Sequence, residues 1–316
     1  MVVPTARGSS RKEDLVALAL LSRHDTASPV LEQVTLPPLG PGDLRIRVVA
    51  ASVDPVDTLF DGGPTRMIFG LDGTVGLGWS FSGVITETGA EVTGFAVGDK
   101  VAAIHRDVTA PVRAHAEETV VPAASAALLP AGLDLADAAT LPLNALTAAQ
   151  MVDRLGPADG RNLLVTGAAG AVGGYAVALA AQAGFAVTGL ARETDHDFVR
   201  RAGARALVTE LPELPERSFD AVVDGAVLHA GALGALRDGG TFVGVVSASP
   251  ATSERGIEVV IVNVEPDGAQ LAGLLALAAA GVLEPRVAGQ VPLADAATAY
   301  SKVAGGGQRG RWLLVP

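Results

Sequence analysis

The sequence predicts an α/β protein in which a small twisted β-barrel precedes a doubly wound parallel sheet. Three observations predict it. Residues 163–190 read as an apolar strand, a Gly/Ala-rich turn, a helix of small residues and a second apolar strand. After them, strand and helix patterns keep alternating. Before them, short β-branched runs are broken by Gly78, Gly83, Gly89, Gly94 and Gly98, the pattern of tight corners in a twisted barrel.

In chain order, Met1–Asp14 is polar and basic and reads as a flexible extension. Leu15–Leu21 is apolar but short and lacks a small-residue cleavage pattern, so it reads as a first strand rather than a signal peptide. Pro37, Pro38, Gly40, Pro41 and Gly42 make a turn, and Asp43–Ala51 alternates as a half-buried strand. Val101–Ile104 and Ala116–Val121 are further strands, the latter closed by Pro122. Leu135–Asp153 is helical: Asp137 and Ala138 open it, Pro142 interrupts it, and Asn144–Leu155 continue it.

Past the central unit, Ala206–Val208, Ala221–Val223, Thr241–Val246 and Glu258–Val262 read as strands, and His229–Leu236 and Gly268–Ala280 as helices. Val291–Val303, starting with Pro292, reads as a helix after a loop, and Trp312–Val315 as a last strand. No internal repeat or low-complexity linker is visible.

The central turn carries the chemistry. Ala168-x-Gly170-x-x-Gly173 follows the logic of the G-x-G-x-x-G/A diphosphate motif with its first glycine replaced by alanine. Gly170 lets backbone approach a diphosphate, and Gly173 lets helix and strand pack closely. The helix N-terminus offers free N–H groups and a positive dipole end. Residues Ala168, Ala169, Gly170, Ala171, Val172 and Gly173 are therefore the expected cofactor cradle; an ordinary tight turn is the alternative. Gly184 ends the helix. At the end of the second strand, where an acid would grip the ribose 2′-hydroxyl of NAD, stands Arg192. A guanidinium suits a 2′-phosphate, which points to NADPH, with Arg200 and Arg201 adding positive charge. Glu193 is its neighbour, and a solvated loop cation is the other reading of Arg192.

Composition excludes several classes. The chain has 316 residues, 49% of them hydrophobic, and a net charge of −11. Nucleic acid and anionic membrane are not expected partners of so acidic a protein. Its longest apolar run, Leu271–Leu283, falls short of the roughly 18 residues a membrane span needs and reads as a buried helix. There is no cysteine, so disulfides, thiolate zinc sites and a cysteine nucleophile are absent. No G-x-S-x-G elbow is present either.

Seven separate stretches carry a resemblance. Ala51-Ser52-Val53-Asp54-Pro55-Val56-Asp57-Thr58 resembles A-S-V-N-P-V-D-T. Leu77-Gly78-Trp79-Ser80-Phe81-Ser82-Gly83-Val84 resembles L-G-W-D-V-A-G-V. Val97–Val101, Thr140–Ala148, the glycine turn, Val264–Leu271 and Arg309-Gly310-Arg311 are likewise similar to motifs of one family. From about Leu15 onward the chain resembles the zinc-free quinone oxidoreductase branch of the medium-chain dehydrogenase/reductase superfamily.

The resemblance implies a GroES-like β-barrel catalytic domain at residues 15–139, completed by 285–316, and a Rossmann nucleotide-binding domain at 140–284. NADPH would lie in the cleft between them, with Asp54 and Thr147 near the nicotinamide. Gly225, Val245 and Ser247, at the ends of later strands, and Arg309 would complete the cofactor contacts; an exposed basic hairpin is the other reading of Arg309. Zinc members carry a cysteine and a histidine where this chain has Asp54 and Trp79, so no metal is expected.

The implied reaction is hydride transfer from NADPH to a quinone or an α,β-unsaturated carbonyl compound, by a cytoplasmic homodimer acting on a small molecule. A narrow-substrate biosynthetic enone or enoyl reductase, and a non-catalytic NADPH-binding sensor, are the alternatives. Two departures keep the sensor open. Asp54 replaces the usual asparagine: its carboxylate would favour the oxidised cofactor, donate a proton if desolvated, or merely cap the turn at Pro55. Leu59 stands where relatives often carry a tyrosine, which removes a proton donor. His115, on a strand entry, reads as structural. His105 could edge the cleft as an acid/base group or be structural.

Overall fold

The computed structural model describes residues 15–316 apart from 24, 25, 27, 60–65, 67–69, 72 and 247–249. The expected N-terminal extension, Ser247 and most of the loop 61–74 lie outside the described residues.

Two sheets form the first part. β1 (Val16–Ser22) is paired antiparallel with β2 (Val30–Thr35) and β4 (Val75–Gly76). The second sheet is built on β3 (Asp43–Val53), with β5 (Ser80–Thr88), β6 (Lys100–Ile104) and β8 (Ala126–Leu128) to one side. β3 changes partner along its length. Asp43–Arg47 pair with β7 (Glu118–Pro122), whereas Ala51–Val53 pair with β16 (Arg311–Val315). Register shifts at Arg45/Ile46 and Val48/Ala50 make this turn between partners, since a bulge adds twist. Gly83 is needed where β5 crosses, because a Cβ there would sit 2.2 Å from the Arg47 carbonyl oxygen. Leu44, Ile46, Phe81, Ile85 and Val101 pack one core of this part, fully buried or nearly so.

The chain returns to this sheet at its C-terminal end through β15 (Val287–Pro292), parallel to β16. Residues 291–303, expected as one helix, are in fact the end of β15, a 3-10 turn and the helix α8 (Ala296–Ala304). β15 escapes the hydrophobic pattern because it is an edge strand whose residues are all exposed or only part-buried. α8 packs Tyr300 and Ala299 onto Leu77, Trp79 and Val53.

The second part is a six-stranded, fully parallel sheet in the order β11-β10-β9-β12-β13-β14. Its strands are β9 (Asn162–Thr166), β10 (Ala186–Leu190), β11 (Ala206–Val208), β12 (Phe219–Asp224), β13 (Leu236–Val245) and β14 (Glu258–Val262). Helices cover both faces, so β9 is buried on each: Leu163 and Val165 face one core and Leu164 the other. The order reverses between β9 and β12, and Thr166 lies beside both Leu190 and Asp224. That crevice at the carboxyl ends is where doubly wound sheets bind ligands.

Two helices differ from expectation. Pro142 does not interrupt a helix; it opens α3 (Pro142–Asp153) at a position whose N–H would be unbonded in any case. The shorter α2 (Leu135–Ala139) is capped by Asp134, whose side chain accepts from the Asp137 N–H. The expected helix 229–236 shrinks to α6 (Ala230–Leu233), and Leu236 already belongs to β13. Among the described residues no helix is long and apolar enough to cross a membrane.

Candidate active site

β9 ends at Thr166, and the next residue makes the turn. Gly167 has φ +61°, the left-handed region that glycine adopts without cost. The tight-turn glycine of the motif is therefore Gly167, and Ala168 is no defect: it is fully buried and its N–H donates to the Leu190 carbonyl at 3.1 Å. Gly170, in extended conformation, precedes α4 (Ala171–Ala183). A Cβ on Gly173 would lie 2.2 Å from the Gly167 carbonyl oxygen, so only glycine lets this helix sit on its turn. The first-turn N–H groups of α4 have no carbonyl of their own helix to bond, and the dipole adds positive potential.

A cavity of about 510 Å³ opens there. It brings together Asp54, Thr147, Gly170, Ala171, Val172, Gly225 and Val245, all expected at a site, with Leu59, Trp79, Asn144 and Arg311. Ala168, Ala169 and Gly173 shape the turn from behind. Asp224 organises the floor. Its carboxylate accepts from the Thr166 hydroxyl at 2.5 Å and from the N–H groups of Leu228 and His229 at 3.1 and 2.8 Å. Those bonds offset the strain at Val227 and His229, whose φ values are +58° and +51°.

Asp54, 1% exposed, sits at the centre of a four-residue network with Ser52, Asn144 and Arg311. Its Oδ2 accepts from the Ser52 hydroxyl at 2.8 Å, and its Oδ1 accepts from the Asn144 amide at 2.8 Å and lies 2.7 Å from Nε of Arg311. Arg311 also donates to Oδ1 of Asn144 at 2.8 Å. The carboxylate therefore does not cap the turn at Pro55. That task falls to Asp57, whose Oδ2 accepts the Asp54 N–H at 2.8 Å. Burial, then the charge of Asp54, pushes the Asp57 carboxyl upward from its ordinary pKa. Thr147 donates its hydroxyl to the Leu143 carbonyl at 2.6 Å, which leaves its oxygen as an acceptor toward the cavity.

His115 is fully enclosed. Its Nε2 meets the Ser52 carbonyl oxygen at 2.9 Å, which can only accept, so Nε2 carries the proton and Nδ1 takes the Tyr300 hydroxyl at 3.0 Å. Burial lowers its pKa to about 4, and it is a neutral structural group. His105 is lowered by burial and by Arg113 to about 3, and its ring does not line the cavity.

The charged residues expected at the cofactor's far end lie outside this cavity. Arg192, exposed just past β10, reaches the Gly307 carbonyl at 3.4 Å. Arg309 is engaged by both carboxylate oxygens of Asp195. Three residues escape sequence reading: Asn144, Arg311 and Arg286. Arg286 donates to the Ala169 carbonyl at 2.6 Å and stacks 3.8 Å over the Phe198 ring, which braces the glycine turn from the C-terminal segment. Asn144 and Arg311 carry a signal only as members of the stretches Thr140–Ala148 and Arg309-Gly310-Arg311, and Arg286 carries none.

Zinc does not suit this site. The Asp54 carboxylate is taken by Ser52, Asn144 and Arg311, the Trp79 indole is not a metal ligand, and the chain has no cysteine. A dinucleotide does suit it, through the α4 N-terminus, the close-packed glycines and the apolar cavity.

Comparison with known proteins agrees with this geometry. Residues 40–133 match the family model of the alcohol dehydrogenase GroES-like domain, and residues 194–314 that of the zinc-binding dehydrogenases. A quinone-oxidoreductase homolog of Spinacia oleracea chloroplasts is 29% identical over 207 residues, 61% of this chain and 62% of that protein, so the match spans under two thirds of that relative. An Arabidopsis thaliana protein named NADPH-dependent alkenal/one oxidoreductase is 28% identical over 295 residues, 90% of this chain and 74% of its own. The solved quinone oxidoreductase of Coxiella burnetii superposes with a TM-score of 0.84 at 24% identity, over 96% of this chain and all of its own, and so shares the fold. The chain belongs to the medium-chain dehydrogenase/reductase superfamily, and a quinone-oxidoreductase homolog is among its relatives.

Proposed function

We propose that this chain is an NADPH-dependent reductase of a quinone or an α,β-unsaturated carbonyl compound. One observation carries the reading: a single cavity runs from the N-terminus of α4 to the Asp54–Asn144–Arg311 network between apolar walls. Arg192 past β10 supports a 2′-phosphate over a bare hydroxyl, and the NADPH named for the Arabidopsis relative is consistent with it.

When bound, NADPH supplies a hydride. The protein's part is position and field. The α4 N-terminus holds the diphosphate, and Thr147 accepts a hydrogen bond at the reacting end. Trp79, Val56, Leu59 and Leu143 give the acceptor an apolar wall. Arg311 is the cation of that wall; its guanidinium has donors beyond those given to Asn144 and Asp54, and these face charge growing on an acceptor oxygen. An enone takes the hydride at its β-carbon and a proton from water at its α-carbon. A quinone takes hydride and proton to become a hydroquinone. No side chain of the cavity is needed as proton donor, which fits the loss of a tyrosine at Leu59.

The reading takes residues 15–139 with 285–316 as the catalytic unit, 140–284 as the nucleotide unit, and a cytoplasmic homodimer as the working form. The test is consumption of NADPH and NADH against a panel of quinones and enones, beside titration of each cofactor alone. Turnover that favours NADPH supports the reading. Binding without turnover on any acceptor would favour a sensor, and binding of neither cofactor would overturn the reading of the glycine turn.

A further inference from the structure

The end of β10 holds more than Arg192. Residues 193–195 form a 3-10 turn that buries Asp195, and the glycine-rich segment 305–310 comes back across it. Nε and Nη2 of Arg309 both bond the Asp195 carboxylate, Nε at 2.6 Å to Oδ1. Arg192 and Arg286 add their charge around the same carboxyl, which is held below its ordinary range first of all by the Arg309 bond. The cluster thus has three guanidinium groups around one buried carboxylate, with Glu193 exposed beside it.

These groups read a ribose in opposite ways. A 2′-phosphate, about −2 at neutral pH, wants the guanidinium groups; a 2′-hydroxyl wants the carboxylate. The Nε/Nη2 edge of an arginine is one that grips a phosphate with two parallel bonds. In Arg309 that edge is already filled. A phosphate arriving beside Arg192 must displace Asp195 or bind against its charge.

We propose that Asp195, by holding this edge of Arg309, is a selectivity residue that narrows the preference for NADPH over NADH and keeps the site open to both. The proposal rests on the nicotinamide-cofactor reading above. It makes Arg192 the main reader of the 2′-phosphate and Arg309 a reserve cation that Asp195 withholds.

The experiment is titration of NADPH, NADH, 2′-phospho-AMP and AMP into the full-length protein and its Asp195→Asn, Arg309→Gln and double variants, with a melting curve for each. Asp195→Asn should raise the NADH/NADPH ratio of Kd values roughly three- to tenfold at low salt, and the AMP/2′-phospho-AMP ratio alike, with NADH changed less than about twofold. Arg309→Gln alone should move either ratio by less than about twofold, and in the double variant it should cancel the gain. An unchanged or smaller ratio in Asp195→Asn overturns the proposal. So does a tenfold loss in Arg309→Gln, which would mean that Arg309 already reads the phosphate. The Arg309→Gln arm decides the matter even where Asp195→Asn melts early. If the unaltered protein binds neither dinucleotide, the cofactor reading falls and this proposal with it; if it binds both and the ratios stay put, only the proposal falls.

Discussion

The carboxylate of Asp54, at the end of β3, lies 2.7 Å from the Arg311 guanidinium at the start of β16, with the Asn144 amide bonded to both. The pair ties the neighbouring strands β3 and β16 together inside the cavity, and it makes this corner nearly neutral. Asp54 is therefore not a lone anion facing a cofactor. Removing its charge leaves the Arg311 cation without its partner in a largely enclosed place. Asp54→Ala should lower the unfolding free energy by about 3 kcal/mol, and Asp54→Asn, which can keep the hydrogen bonds, by less. Denaturant unfolding measures both. Under the NADPH reading, Asp54→Asn should also weaken NADP⁺ relative to NADPH, because the unpaired cation repels the oxidised nicotinamide ring. Equal loss for both forms would contradict that.

Gly173 and Gly170 should differ sharply. A Cβ at Gly173 meets backbone at 2.2 Å, whereas one at Gly170 meets only the Gly167 oxygen at 3.1 Å. Gly173→Ala should cost about 1–3 kcal/mol of stability and shift α4 off its turn, with at least tenfold weaker cofactor binding. Gly170→Ala should fold nearly normally. Melting curves and cofactor titration on both variants check this.

The buried histidines predict a pH dependence. His115 has a pKa of about 4 in the fold against about 6.5 when unfolded. Between those values the unfolded chain binds a proton that the native one refuses, so stability falls as pH drops from 6.5 to 4 and levels off below. The slope from one such group is at most about 1.4 kcal/mol per pH unit. His105, lowered to about 3, adds the same sign and extends the window downward. Asp57, pushed upward by burial and by Asp54, acts in the opposite sense, because its native form holds a proton that the unfolded form has lost. The clean measurement is therefore a difference. His115→Gln should remove part of the wild-type slope between pH 6.5 and 4 and leave the rest; an unchanged slope would contradict its burial as a neutral ring.

Leu59 is 52% exposed and lines the cavity. Leu59→Tyr places a phenol O–H at its mouth. If solvent is the proton source now, the variant should speed enone reduction several-fold, within the roughly 10²-fold lower range of positioned acid catalysis, and leave quinone reduction nearly unchanged. Rates on one enone and one quinone decide it.

What the sequence made legible follows from local physics. Continuous apolar runs and glycines reveal the parallel strands and the turn that binds them to α4, because burial on both faces and close backbone approach are written in residue type. Gly167 falls outside the Ala168-x-Gly170-x-x-Gly173 spacing, and only its φ of +61° shows that it makes the turn. Pro142 reads equally well as a break or as a first helical residue until the preceding turn is seen. Val291 and Pro292, the end of β15, read as the start of a helix because an edge strand with Gly289 and Pro292 has no buried stripe to betray it. Arg286 and Arg311 could not be foreseen in their roles. What they touch, Ala169 and Phe198 or Asp54 and Asn144, is set by the return of the C-terminal segment and has no trace in local spacing.

The most direct test mixes the protein with one equivalent of NADPH and then with a quinone or an enone, following reduced nicotinamide and acceptor together. The account predicts one acceptor reduced for each NADPH oxidised, faster than in the Gly173→Ala variant and faster than with NADH. NADPH held by the protein yet left unoxidised by every quinone and enone tried would contradict it.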